Sequence, residues 1–282
     1  MPSVIGFSIA KNCIREGYPI DLVIKQHTGL FDMHIVGVPR GEQDEDGTGQ
    51  LVARTAAECG QALTTLFLDW PGEGAWTEES LDKTHQQKIL DHIEATYDDD
   101  VWVIKIDADE FYHEQDFADI REAIEICHDG GIDSIWTGYK QFMGSLNYTV
   151  WDPTTQVFHI FRNKRGVQFG GNDAMILVAG KDPYPLDEVT LNHIGYVKPA
   201  RKINTRIHEH LILNESMYPG IKVPEDWNFT FPRHVEGKRL WPLGIAEIKG
   251  QPNEAEYFTV DPRDLPKELR EQSDEMMFHN PM

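Results

Sequence analysis

Val101-Trp102-Val103-Ile104-Lys105-Ile106-Asp107-Ala108-Asp109-Glu110-Phe111 is the stretch around which this chain is organised. The run from Val101 to Ile106 is apolar apart from Lys105, and it leads straight into the carboxylates of Asp107, Asp109 and Glu110. A short Val, Ile and Trp run preceded by Asp98-Asp99-Asp100 predicts a strand buried on both faces, as in a parallel sheet. Open α/β sheets bind ligands beyond the carboxyl ends of their strands, so these carboxylates stand where a ligand is expected. Asp-x-Asp brings two hard oxygen donors to one side of the backbone, a set suited to a divalent cation shared with a phosphate. Taken alone, the same residues also describe an acidic turn with an aspartate cap. The neighbouring segments decide between the two.

Upstream, short apolar runs alternate with helical patterns. Ser3 to Ile9 predicts a first strand, Pro19 to Gly29 a short helix stopped by glycine, and Met33 to Val38 a second strand closed by Pro39-Arg40-Gly41. Glu42 to Gly49 is an acidic loop, Thr48 to Gly60 a small-residue helix, and Thr64 to Leu68 a third strand. Placing Gly47 at the sixth position of a calcium loop puts Ala53 where the twelfth-position glutamate belongs, which rejects an EF-hand. Glu78 to Tyr97 predicts a long helix with Ile89, Leu90, Ile93 and Tyr97 on one face. Gln86 falls in the middle of that face, either as a satisfied core amide or, with Lys83 a turn earlier, as a group turned toward a ligand. This alternation predicts a parallel, doubly wound α/β sheet.

Downstream, Asp116 to His128 is amphipathic, Ile132 to Met143 is strand-rich, and Gln156 to Arg162 alternates as an antiparallel flanking strand would. Gly170-Gly171-Asn172-Asp173 reads as a turn, followed by strands over Ala174 to Ala179 and Val189 to Tyr196. Ala200 to Asn214 reads as a helix, basic at its start through Lys198, Arg201, Lys202 and Arg206. That basic cluster would serve an anionic acceptor or balance the local acidity. Beyond it, prolines at 219, 224, 232, 242, 252, 262 and 266 disfavour long elements, while Trp227, Phe229, Phe231 and Trp241 favour a packed arm. The expected organisation is a domain over residues 1–212 and a proline-rich, aromatic extension over residues 213–282, packed on or capping the site.

With 47 acidic against 26 basic residues the net charge is −21, which argues against general nucleic-acid binding. It suits a site that recruits a cation before meeting an anionic ligand. Cys13, Cys59 and Cys127 are scattered without metal-ligand spacing and read as reduced thiols. No apolar run reaches membrane-spanning length, and the start of the chain lacks signal-peptide character, so a cytoplasmic location is expected.

The first strand ending at Asn12, Asp46-Gly47-Thr48 after the second, and the Asp107-Ala108-Asp109-Glu110-Phe111 block resemble the GT-A glycosyltransferases, closest to the family 2-like branch. Phe158-His159-Ile160-Phe161-Arg162 and Leu191-Asn192-His193-Ile194-Gly195-Tyr196 resemble later landmarks of that branch. The resemblance covers roughly residues 3 to 212. It implies a GT-A mixed sheet, mostly parallel and flanked by helices, and a nucleotide-sugar donor at its carboxyl edge, with a UDP-sugar preferred. It further implies that Asp109 binds Mn2+ or Mg2+, that Asp107 meets the ribose or the metal, and that a later histidine, His193, completes the coordination, with His159 next in order. Ser8 and Asn12 would border the nucleobase, and Asp46, Lys83 and Gln86 would complete the donor side. Inversion is expected, with Asp173 as the base that deprotonates the acceptor and Glu188 or Glu110 as alternatives. The chain departs from the family at the end of the second strand, where Pro39-Arg40-Gly41 replaces a carboxylate, which leaves uridine and the role of Asp46 open.

Three rival readings follow from the same residues. A sugar-phosphate nucleotidyltransferase would carry a glycine-rich loop after the first strand, but Lys11-Asn12-Cys13-Ile14-Arg15 has no glycine before Gly17. A non-catalytic nucleotide-sugar-binding protein would have no need of both Asp107 and Asp109. A two-metal phosphohydrolase would need a second His and Asp cluster. The acceptor (glycan, lipid, protein or modified base) is not written in the sequence.

Overall fold

The computed structural model describes residues 1–70, 78–143, 145–163, 167–170, 175–177, 182–197, 257–259 and 262–271. The chain forms two compact units. The first comprises Met1–Tyr139, Pro153–Asn192 and Pro266–Glu268, and the second comprises Lys140–Asp152, His193–Leu265 and Leu269–Met282.

The first unit begins with β1 (Val4–Ile9), α1 (Cys13–Glu16), α2 (Ile20–Gln26) and β2 (Met33–Pro39). It continues with α3 (Thr48–Cys59), β3 (Leu63–Leu68), α4 (Glu78–Thr96) and β4 (Trp102–Lys105). After the short β5 (Glu110–Phe111) come α5 (Phe117–Gly130), β6 (Ser134–Met143) and β7 (Ser145–Arg162). Then follow β8 (Gln168–Gly170), β9 (Met175–Leu177) and β10 (Tyr184–Tyr196), while β11 (Tyr257–Thr259) and α6 (Lys267–Glu271) lie near the chain end.

The sheet order is β3-β2-β1-β4-β7-β6-β10-β5. β3, β2, β1 and β4 run parallel, and β7 pairs antiparallel to β4 at Val103↔Phe161. This is the mixed, Rossmann-like α/β architecture expected from the alternation of strands and helices, with the antiparallel flank where Gln156 to Arg162 indicated it.

The core explains the spacing. β1 and β4 are buried almost throughout, as strands covered on both faces must be. Ile89, Leu90 and Ile93 of α4 pack with Ile5, Phe7, Ile35, Val103 and Phe161. A Cβ on Gly37 would meet Leu68 and Ile89, so its absence lets α4 approach β2 closely. On the other side of the sheet, His27 stacks on Phe31 at 5.2 Å between ring centroids and meets Tyr112 and Phe117 edge-on or tilted. Its Nδ1 donates to the Val23 carbonyl at 2.8 Å and its Nε2 accepts from the Tyr112 N–H at 3.1 Å, which requires the neutral ring.

Near the chain end, Lys267 N–H donates to the Glu114 carboxylate at 2.8 Å and Glu268 N–H to the Gln26 side chain at 3.1 Å. These side chains cap the first amides of α6, which its own turn cannot satisfy. In the second unit, β11 pairs antiparallel with the start of β7 at Tyr257↔Val150, and Thr149 Oγ1 donates to the Gln141 carbonyl at 2.9 Å. No helix among the described residues is long and apolar enough to cross a membrane.

Candidate functional site

The strand order sets the place. From β1 the chain steps to β2 and β3 on one side, then returns through α4 to β4 on the other side of β1. The carboxyl ends of β1 and β4 therefore flank the point where the winding reverses, which in open α/β sheets opens a binding crevice. At the end of β1, Ala10 N–H still pairs with the Gly37 carbonyl at 2.8 Å, and Asn12 then turns in the left-handed conformation (φ 53°) to start α1. At the end of β4, Ile106 N–H pairs with the Phe7 carbonyl at 3.0 Å, so the ladder delivers Asp107 directly to this edge.

The acidic turn is internally braced. Asp107 N–H donates to the Glu110 carboxylate at 2.8 Å, and Glu110 N–H donates back to the Asp107 carbonyl at 3.2 Å. Glu110 is buried and lies 3.5 Å from Nδ1 of His159, so it acts as the clamp of the turn. Lys105 is buried in β4, and its ammonium reaches the Asp107 carboxylate at 2.6 Å. The Asp107 side chain is 42% exposed, whereas Asp109 is 4% exposed. The turn thus presents one accessible carboxylate, oriented by a buried cation, and one enclosed carboxylate two residues on.

A cation of the Mg2+ or Mn2+ type fits this donor set. Such ions take one or two carboxylates and complete their shell with water and phosphate oxygens. Among the described residues no group of three His, Cys, Asp or Glu side chains stands ready to hold an ion. His193 belongs to the second unit, where it is buried on β10 with its ring 6.3 Å from that of Tyr196.

A second group of side chains gathers near the ends of β3 and β1. Trp70 exchanges two hydrogen bonds with the Gln43 side chain, at 3.0 and 2.9 Å, which pins its backbone. Its ring stacks on His85 of α4 at 4.1 Å, and the Lys11 ammonium lies 5.6 Å from the ring centroid, within cation–π range. His85 Nε2 donates to the Asp69 carbonyl at 3.1 Å. Next to His85, Gln86 is 5% exposed and its Oε1 has no hydrogen-bond partner among the described residues. An unsatisfied buried amide costs about 1–3 kcal/mol. α4 starts at the carboxyl edge of the sheet, and Gln86 lies one turn nearer that edge than Ile89.

The other expected residues fall as follows. Ser8 is buried in β1, and its hydroxyl bonds to Nε2 of His34 at 2.9 Å. Asp46 accepts from Thr48 N–H at 3.1 Å, Thr48 Oγ1 at 2.6 Å and Arg15 N–H at 2.8 Å, tying α1 to the start of α3. Burial alone would raise its carboxyl, but these bonds and the Arg15 charge hold it below the usual carboxylate range. Asp44 likewise accepts from Gly49 N–H at 3.0 Å, so the acidic loop spends two of its carboxylates on holding its own shape. Lys83 belongs to α4. Asp173 and the basic run from Lys198 to Arg206 lie outside the described residues. Glu188 is an exposed residue of β10.

Reading the sequence passed over Lys105, Lys11, Trp70 and His85 as site residues. Lys105 left a trace, as the one charge in an apolar strand. Trp70 and Lys11 stand directly after strands, where a sheet of this kind places its ligand contacts, but the Trp70–His85 stack joins residues 15 positions apart.

No protein-family model matches the chain. No curated protein sequence matches it either. Among solved structures, similarity is found to a mannosyltransferase from Pyrobaculum calidifontis in complex with GDP-Man and Mn2+. It is 16% identical over 78% of this chain and 65% of its own, with a TM-score of 0.46. Glucosyl-3-phosphoglycerate synthase from Mycobacterium tuberculosis, in complex with phosphoglyceric acid, is 17% identical over 51% of this chain and 45% of its own, with a TM-score of 0.30. Mannose-6-phosphate isomerase from Helicobacter pylori is 11% identical over 57% of this chain and 71% of its own, with a TM-score of 0.34. Identities and TM-scores this low carry no chemistry from those proteins to this one.

Proposed function

We propose that this protein is a glycosyltransferase that moves a sugar from a nucleotide-sugar donor to an acceptor hydroxyl. The observation that carries the reading is the braced Asp107–Glu110 turn, set at the carboxyl edge of a parallel sheet where the winding reverses. A divalent cation held by Asp109 and Asp107 would stabilise the negative charge that grows on the departing diphosphate. Lys105 orients Asp107 from below the turn, and Glu110 fixes the backbone that carries both aspartates. Asn12 at the end of β1 and Gln86 on α4 are assigned to the nucleoside, with the Gln86 Oε1 free to accept from a ligand N–H or O–H. The Trp70 and His85 rings supply an aromatic surface beside them. Transfer with inversion requires a base for the acceptor proton, and Asp173 is assigned that role because it lies beyond the acidic motif in the sequence, where the family this chain resembles often places such a base.

The test is a panel of UDP-, GDP- and CMP-sugars offered to the purified chain with Mn2+ or Mg2+. One donor is expected to raise the melting temperature and to be hydrolysed or transferred, and both effects should vanish in Asp109→Asn. If no donor protects the protein and none is turned over, the enzyme reading falls. Full activity in Asp109→Asn would remove the metal assignment alone.

A further inference from the structure

We propose that the chain self-associates through β3, pairing edge to edge with the β3 of a second copy about a two-fold axis. β3 ends the sheet order, so one side of it has no strand partner among the described residues. Strands of a parallel sheet are normally covered on both faces. β1 and β2 obey this, but β3 does not: Leu63, Thr64, Thr65 and Leu66 are only half-buried and Phe67 is 56% exposed. Natural edge strands are usually blunted by Lys, Pro, a bulge or an inward charge. Leu63-Thr64-Thr65-Leu66-Phe67-Leu68 has none of these residue types, and no charge occurs between Cys59 and Leu68. In a chain of net charge −21 this neutral edge is where a second copy can approach with least repulsion. At its end, Asp69 is already paired with Arg40 at 2.8 Å.

The ladder also fixes the register. His34 N–H bonds to the Ala62 carbonyl and Arg40 N–H to the Leu68 carbonyl, so residues 62, 64, 66 and 68 face β2. The N–H and C=O groups of Leu63, Thr65 and Phe67 therefore point outward. Antiparallel pairing that uses all three sets Thr65 opposite Thr65 and Leu63 opposite Phe67 of the second copy. These are Thr–Thr and aliphatic–aromatic pairs, both favourable cross-strand neighbours. The Leu63 and Phe67 side chains project from the sheet face away from Leu66 and Leu68, which pack in the core with Ile89. Pairing would cover the exposed Phe67 ring with the partner's Leu63. The Arg40 guanidinium, which donates to the Phe67 carbonyl at 3.0 Å, leaves that oxygen a second lone pair for the ladder.

Light scattering coupled to size exclusion reads the mass of the full chain directly. At tens of micromolar the wild type is expected at twice the 32.3-kDa chain mass. Thr65→Pro removes only an outward N–H, which an edge strand tolerates, and is expected to return the mass to 32.3 kDa. Phe67→Lys, which leaves the backbone intact, is expected to do the same. The register has its own readout: opposed hydrogen-bonded residues lie about 5.5 Å apart at Cα, within disulfide range. Thr65→Cys should therefore cross-link the dimer under mild oxidation, while Leu63→Cys should not exceed the wild-type background. A wild type that stays monomeric across the concentration range overturns the proposal. So does a dimer that survives both Thr65→Pro and Phe67→Lys.

Discussion

Replacing Asp107 with Asn should destabilise the fold whether or not a metal is ever bound. The Lys105 side chain is 6% exposed and its ammonium lies 2.6 Å from the Asp107 carboxylate. Removing one partner of a fully buried pair costs about 3–5 kcal/mol, because the other charge is left stranded. Asp107 is 42% exposed, so solvent already screens the pair and we take roughly half of that cost, about 2 kcal/mol. For a chain of this size that corresponds to a fall of about 4–8 °C in melting temperature. Lys105→Met removes the buried charge instead and leaves an accessible carboxylate that water can solvate, so it should be nearly neutral. The double variant Lys105→Met/Asp107→Asn should regain most of what Asp107→Asn loses. Thermal melting and urea titration of the four proteins, followed by circular dichroism in metal-free buffer, close the cycle. The ion-pair reasoning is wrong if Asp107→Asn melts with the wild type, or if the double variant is no more stable than Asp107→Asn.

Stability should also fall between pH 6.5 and 5, before ordinary carboxylates titrate. Burial pushes His27 down to about 4, and burial with the nearby His27 charge pushes His34 down to about 3, from 6.5 in the unfolded chain. In that window the unfolded state binds protons that the folded state refuses, so stability drops as pH drops; at pH 5 the loss is about 2 kcal/mol per histidine. Urea midpoints at pH 8 and pH 5 measure it, and a flat profile would mean the rings accept protons in place. Gly6→Ala should cost about 1–3 kcal/mol, because the added Cβ would overlap the Phe31 ring, itself held between His27 and His34. A variant as stable as the wild type would show that the ring can step aside. Glu114→Ala should speed amide exchange at Lys267 about five-fold, as expected for losing one hydrogen bond worth about 1 kcal/mol, and unchanged exchange would mean that the Glu114 bond does not protect this amide.

The parallel half of the sheet was legible because each of its parts carries its own pattern. The apolar run Val101 to Ile106, the face of Ile89, Leu90 and Ile93, and the alternation of Gln156 to Arg162 each state an element without reference to the others. The position of the acidic turn was legible for the same reason: it is continuous in the chain and ends a strand. Side-chain partnerships were not. Nothing in the local pattern tells that Ser8 bonds to His34, that Asp46 is spent on Thr48 and Arg15, or that the Gln86 Oε1 is left without a partner among the described residues.

By itself, then, the sequence determined the strands and helices of the parallel half, and that Asp107, Asp109 and Glu110 stand at a strand's carboxyl end, since periodicity and chain continuity are local properties. Only the tertiary structure separated the three carboxylates into a clamp, an enclosed carboxylate and an accessible one. That division depends on which side chains reach the turn: Lys105 from beneath it, His159 from the neighbouring antiparallel strand, and the Glu110 carboxylate folding back onto the Asp107 amide. Burial and hydrogen bonding set the role of a carboxylate, and both are properties of its surroundings in space rather than of its place in the chain.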